Sequence, residues 1–193
     1  MGRMTAHDPT VLPPDLPVPV DDGAADHLPG QAVPALALPS TAGEPVDLAA
    51  AAATGTLVLF CYPRTGRPGE APPPGWDEIP GARGCTPQAC GFRDHHAELA
   101  ELGARLLGLS AQPLEEQLET AGRLGLPYQL LSDPDLALAE ALRLPTFEAA
   151  GMRLYRRLTL VAREGRVAHV FYPVFPPDRN AAEVAAWLRR HPA

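Results

Sequence analysis

The sequence predicts an α/β protein built as a three-layer sandwich, with a mixed β-sheet flanked by helices. Three observations carry this. A continuous apolar run, Thr56 to Tyr62, has the length of a strand buried on both faces. Further strand-like segments alternate with helix-like ones along the chain. Finally, two strand segments flank Glu164-Gly165, which reads as a hairpin turn, and a closing helix follows.

The elements follow in order. Residues 1–28 combine prolines with acidic residues and show no periodicity, so they read as a mobile or draped arm outside the domain, which spans 29–193. The strand at Thr56 stops at Pro63. A Gly- and Pro-rich stretch then fills about 64–84, a loop long enough in a compact domain to be functional or disordered. Helical text begins near Cys85, where Ala89, Phe92, His96, Leu99 and Leu102 recur at three- and four-residue steps. Arg105 to Ser110 is the next strand. A helix over Leu114–Leu124 ends at Gly125 and Pro127, and a short strand covers Tyr128–Leu131. Asp133-Pro134 opens another helix, with Asp as cap and Pro at the first position. Leu154–Ala162 and Arg166–Phe171 are the hairpin strands, and the last helix runs from about Asn180 to Arg190, with Trp187 expected in the core.

Composition excludes several functions. All 16 basic side chains other than histidine are arginines, outnumbered by 23 acidic ones for a net charge of −7, with no basic cluster. Nucleic-acid binding is therefore not expected, because phosphate neutralisation supplies most of that affinity. No segment offers the roughly 20 consecutive apolar residues of a membrane span, and Met1 to Val20 lacks the pattern of a secretory signal. Three cysteines in such a chain imply a reducing compartment, by default the cytoplasm.

The chemistry concentrates at Gly84-Cys85-Thr86-Pro87-Gln88-Ala89-Cys90. Cys85 stands where a loop turns into a helix, a position whose free N–H groups and dipole favour thiolate, the nucleophilic form. A structural cysteine lies more usually within a strand or mid-helix, yet spacing alone leaves both readings open. Cys90 follows five residues on, a rise of roughly 7.5 Å on a different helix face. A bond between the two sulfurs would need backbone movement. Taken alone, Cys90 reads more often as a buried small apolar residue. Cys61, inside the apolar strand, reads as core packing. His95 and His96 with Cys85 and Cys90 do not converge as zinc ligands, and no metal or cofactor is expected.

Gly84-Cys85-Thr86, Gln88-Ala89-Cys90 and Phe92-Arg93-Asp94 together resemble the peroxiredoxin Q, or bacterioferritin-comigratory protein, class of peroxiredoxins. The likeness extends through most of residues 28–190. Pro34 to Leu48 is similar to the entry hairpin of the class, and Phe60-Cys61-Tyr62-Pro63 to the strand before its active-site loop. Leu107 to Ser110, Leu126 to Asp133 and Gly165 to Phe171 match in the same order.

The resemblance implies a thioredoxin-like fold and a thiol peroxidase. It implies Cys85 as the peroxidatic cysteine, oxidised to sulfenic acid, and Cys90 as the resolving cysteine that condenses with it to a disulfide. The substrates would be hydrogen peroxide or organic hydroperoxides, the reductant a thioredoxin- or glutaredoxin-like dithiol, and the class leans to a monomer. Arg157, two residues ahead of Thr159, matches the arginine that peroxiredoxins set against the reactive sulfur; strand alternation would turn Arg156 to the other face. The pattern departs at one place: Ala82 stands where the class has a threonine whose hydroxyl contacts the peroxide. Thr65, just after Pro63, is the candidate to supply that hydroxyl. A thioredoxin-type disulfide reductase, or a silent redox-sensing protein on the same fold, are the competing readings. The first is opposed by the four residues between Cys85 and Cys90.

Overall fold

The computed structural model describes residues 8–193; the part of the predicted arm at 1–7 lies outside the described residues. Residues 8–28 form turns draped on the domain, and Ala25 and Leu28 are buried against it. A short hairpin of β1 (Ala37–Leu38) and β2 (Val46–Asp47) follows, and Asp47 accepts from the Ala50 amide to cap α1 (Leu48–Ala53).

β3 (Thr56–Cys61) is buried at every position. Loop 64–84 leads to α2 (Cys85–Asp94), α3 (His96–Glu101) and β4 (Ala104–Ser110). Next come α4 (Leu114–Leu124), ended by Gly125 in the left-handed region, β5 (Gln129–Ser132) and α5 (Ala137–Leu142). A second hairpin, β6 (Thr146–Ala149) and β7 (Met152–Tyr155), precedes β8 (Leu158–Arg163), β9 (Arg166–Phe171) and α6 (Asn180–Arg190).

The central sheet has the order β5-β4-β3-β8-β9, parallel across β3, β4 and β5 and antiparallel across β8 and β9. Strand alternation divides its side chains between two cores. Leu57, Leu59 and Cys61 of β3 face one side, with Leu48 of α1 and Leu138 and Leu142 of α5. Val58, Phe60 and Tyr62 face the other, with Phe92 of α2, Leu99 of α3 and Val184 and Leu188 of α6. Phe60 stacks on Phe92 at 4.4 Å between ring centroids. Gly108 makes room for this layer: a Cβ there would come within 2.7 Å of the Phe60 ring and 2.6 Å of Leu130.

Four local expectations are corrected. The helical text after Cys85 breaks at His95 into α2 and α3, although Ala89, Phe92 and Leu99 stay buried as one stripe. Asp133 does cap a helix, with its carboxylate accepting from the Ala137 and Leu138 amides at 2.9 and 3.0 Å. Pro134 lies in the turn before that helix, not in its first position. The strand expected over 154–162 is two strands: β7 pairs back onto β6, β8 enters the central sheet beside β3, and Arg156 and Arg157 fall between them. Trp187 is half-buried, sandwiched between the rings of His169 and His191 at 4.9 and 4.3 Å.

Candidate active site

Loop 64–84 returns to the body of the protein through Trp76, which is buried with Ala82 and with Leu154 of β7. That anchor sets residues 81–84 over the end of the central sheet. Gly84, at φ 107°, turns the loop into α2; a Cβ there would collide with Leu12 and Pro177. Cys85 is thus the first residue of α2. Within the helix, the Gln88 amide is the one that bonds back to the Gly84 carbonyl, so the Cys85 and Thr86 amides have no helical acceptor.

Cys85 is 4% exposed and Arg157 only 3%. Nη2 of Arg157 lies 3.2 Å from the Cys85 sulfur, and the sulfur lies 3.7 Å from the Ala82 carbonyl oxygen. The same Nη2 faces the carbonyls of Gly81, Ala82 and Arg83 at 3.1 to 3.2 Å, a fan of acceptors sharing its two hydrogens. Nη1 donates to Gln88 Oε1 at 2.5 Å. Gln88 Nε2 donates to Asn180 Oδ1 at 3.0 Å, which also accepts from the Thr159 hydroxyl at 2.7 Å. A buried chain from β8 through α6 and α2 therefore holds the guanidinium against the sulfur. Arg156 turns elsewhere, its guanidinium 5.7 Å from the Phe147 ring centre. Because both arginines sit between strands, it is this hydrogen-bonded chain, and not strand alternation, that separates them.

A cleft of about 550 Å³ opens over Cys85, walled by Thr86, Trp76, Arg83, Gln112 and residues of loop 64–84. Thr65 lies in its wall, but its hydroxyl is spent on Gln112 Oε1 at 3.2 Å and on Thr120 at 2.9 Å, while its amide also donates to Gln112. Those contacts hold Thr65 in the cleft wall.

Cys90 is half-buried on α2, and desolvation pushes its thiol above the ordinary value. Cys61 points to the opposite side of the sheet from Cys85, among Leu107 and Leu158, and burial pushes its thiol up strongly. All three cysteines are free thiols. His95 pairs with the Gly91 carbonyl at 2.9 Å and His96 lies against the Tyr128 ring, so neither joins the sulfurs. Gln88, Asn180 and Thr86 were not anticipated as part of this site. Gln88 was findable, three residues after Cys85 on the same helical face; Asn180 left no local signal.

The redoxin family profile matches residues 28–187. The chain is 30% identical over 153 residues to peroxiredoxin bcp1 of Schizosaccharomyces pombe, covering 76% of this chain and 70% of that protein. It is 29% identical over 170 residues to peroxiredoxin Bcp of Escherichia coli, covering 84% and 96%. The crystal structure of peroxidoxin BcpB from Mycobacterium tuberculosis superposes with a TM-score of 0.68 at 30% identity, over 86% of this chain and all of that one. With a mixed sheet of thioredoxin type and a cysteine opening α2, the chain belongs to the redoxin family as a peroxiredoxin of the peroxiredoxin Q class, a thiol-dependent peroxidase.

Proposed function

We propose that Cys85 is the peroxidatic cysteine, Arg157 its charge-stabilising partner and Cys90 the resolving cysteine of an intramolecular cycle. The observation that carries this is the Arg157 guanidinium at 3.2 Å from a sulfur that opens α2 at the floor of the cleft. Two unbonded helix amides and a guanidinium stabilise negative charge on that sulfur. The thiolate attacks the hydroxyl-bearing oxygen of a peroxide. The S–O bond forms, the O–O bond breaks, and the leaving oxygen takes up a proton as water or an alcohol. Cys85 is left as a sulfenic acid, two electrons oxidised. The guanidinium stands where it can donate to these oxygens as charge moves from sulfur to the leaving group.

The Cys90 thiolate then attacks the Cys85 sulfur, and the disulfide forms with loss of water. Five residues of intact helix keep the two apart, so the first turns of α2 unwind at this step. A thioredoxin- or glutaredoxin-like dithiol reduces the disulfide by exchange. Such a cycle needs a compartment that keeps dithiols reduced, which points to the cytoplasm. In this reading the protein works as a monomer, loop 64–84 is an insertion into the peroxidase domain that builds the cleft, and hydrogen peroxide and organic hydroperoxides are the substrates. The test is peroxide-dependent oxidation of a dithiol by the purified protein, followed by mass mapping of its cysteines; turnover with a Cys85–Cys90 disulfide supports the cycle, and turnover without it removes Cys90 from its role.

A further inference from the structure

Of the five buried side-chain polar atoms without a hydrogen-bond partner among the described residues, three belong to residues around Cys85. They are Arg83 Nε, Thr86 Oγ1 and Arg157 Nε. Arg83 and Thr86 lie within two positions of Cys85, and Arg157 touches its sulfur. Native interiors leave few polar groups unpaired, and those that remain call for an explanation. Three such atoms around one reactive sulfur mark a place for a polar ligand.

Thr86 is distinct within this cluster. The two arginine nitrogens only donate, whereas a hydroxyl both donates and accepts. The attacked oxygen of a hydroperoxide carries its own hydrogen, and that hydrogen needs an acceptor. The carbonyls of residues 81–83 already accept from Arg157. Thr65 and Thr120, the other hydroxyls on the cleft, are bonded to each other, and Thr65 also to Gln112. Thr86 is 2% exposed, lines the same cleft and follows Cys85 directly. Its hydroxyl has no hydrogen-bond partner among the described residues, so its lone pair and its hydrogen are both left for an oxygen bound at the sulfur.

Resting on the peroxidase reading above, we infer that Thr86 is a catalytic residue whose hydroxyl binds the peroxide. It accepts the O–H of the oxygen that Cys85 attacks and, with its own hydrogen, donates to the departing oxygen. This supplies the hydroxyl contact that Ala82 cannot make. Thr86 does not transfer a proton of its own in the step; the leaving oxygen takes its proton from solvent.

The experiment compares wild type, Thr86→Val and Thr86→Ser for the second-order reaction with hydrogen peroxide, and records the thermal midpoint of each. Valine keeps the shape and removes the hydroxyl; serine keeps the hydroxyl. The expected result is a loss on the order of 100-fold in Thr86→Val, most of the rate retained in Thr86→Ser, and a midpoint in Thr86→Val no lower than wild type. A wild-type rate in Thr86→Val overturns the inference. So does a Thr86→Ser rate as low as that of Thr86→Val, which would assign the effect to shape. A slow Thr65→Val beside a fast Thr86→Val would move the role to Thr65. The peroxidase reading is tested separately by Cys85→Ser and stands or falls independently of these three outcomes.

Discussion

Nη2 of Arg157 lies 3.2 Å from the sulfur of Cys85, a contact between residues 72 positions apart in the chain. Its neighbour Arg156 is aimed at Phe147. The two adjacent arginines are therefore expected to separate by function. Arg157→Met should slow the reaction with hydrogen peroxide on the order of 100-fold, the usual cost of removing one preorganised donor. Arg156→Met should stay near the wild-type rate. Stopped-flow rates on the pair check this, and a slow Arg156→Met beside a fast Arg157→Met would reverse the assignment.

Gln88 is expected to act through Arg157 as a positioning residue. Its Oε1 accepts from Nη1 at 2.5 Å and its amide bonds to Asn180. Gln88→Leu leaves the guanidinium without that acceptor and should cost roughly tenfold or more in the peroxide reaction. Gln88→Glu keeps an acceptor, and the Asn180 amide can turn its unpartnered Nδ2 toward it, so most of the rate should survive. Equal loss in both variants would point to packing and not to the hydrogen bond.

After one equivalent of peroxide, peptide mapping should find Cys85 joined to Cys90 within one chain and Cys61 unmodified. Cys61 faces the other side of the sheet and burial holds its thiol protonated. Thiol reagents should therefore reach it only after unfolding. Unwinding of α2 at the proposed disulfide step predicts a rise in hydrogen exchange over residues 85–94 in the oxidised protein. Cys90→Ser should accumulate the sulfenic acid and pass to higher oxidation states. A Cys85–Cys61 bond would contradict the two-sided core.

The far end of the sheet carries a pH dependence. His169 stacks on Trp187, which also stacks on His191 and lies under Arg163 at 5.3 Å. Burial, then the nearby His191, hold His169 below the ordinary histidine value. The folded state thus binds this proton less readily than the unfolded chain, so the stabilisation is present above about pH 6.5 and is lost as pH falls below it. Thermal midpoints should drop between about pH 7.5 and 5.5, and less so in His169→Gln. An equal drop in that variant would place the sensitivity elsewhere.

How much of this was legible in the sequence depended on how local each signal was. β3 announced itself through an unbroken apolar run, and α4 through the stop at Gly125 and Pro127. Cys85 stands where a loop turns into a helix, a signal local enough to pick it out directly, whereas Thr86 beside it carried none of its own. By contrast, β7 and β8 form one strand-like text, and the division between them is set by partners, β6 for one and β3 for the other. The Asp133 carboxylate reaches amides four and five residues on, across a turn that Asp-Pro does not reveal. The Gln88–Asn180 contact joins residues 92 apart. The hydroxyl of Thr65 looked available only because Gln112 and Thr120 come to it through the fold.

The central claim is that peroxide is reduced at the Cys85 sulfur. The most direct measurement is hydrogen peroxide consumption with excess dithiol by wild type and Cys85→Ser, with thermal midpoints recorded to show that both are folded. A serine hydroxyl is far less ionised than a thiol in this setting. The account predicts turnover in the wild type and none above background in Cys85→Ser. Peroxide consumption retained by folded Cys85→Ser would contradict it.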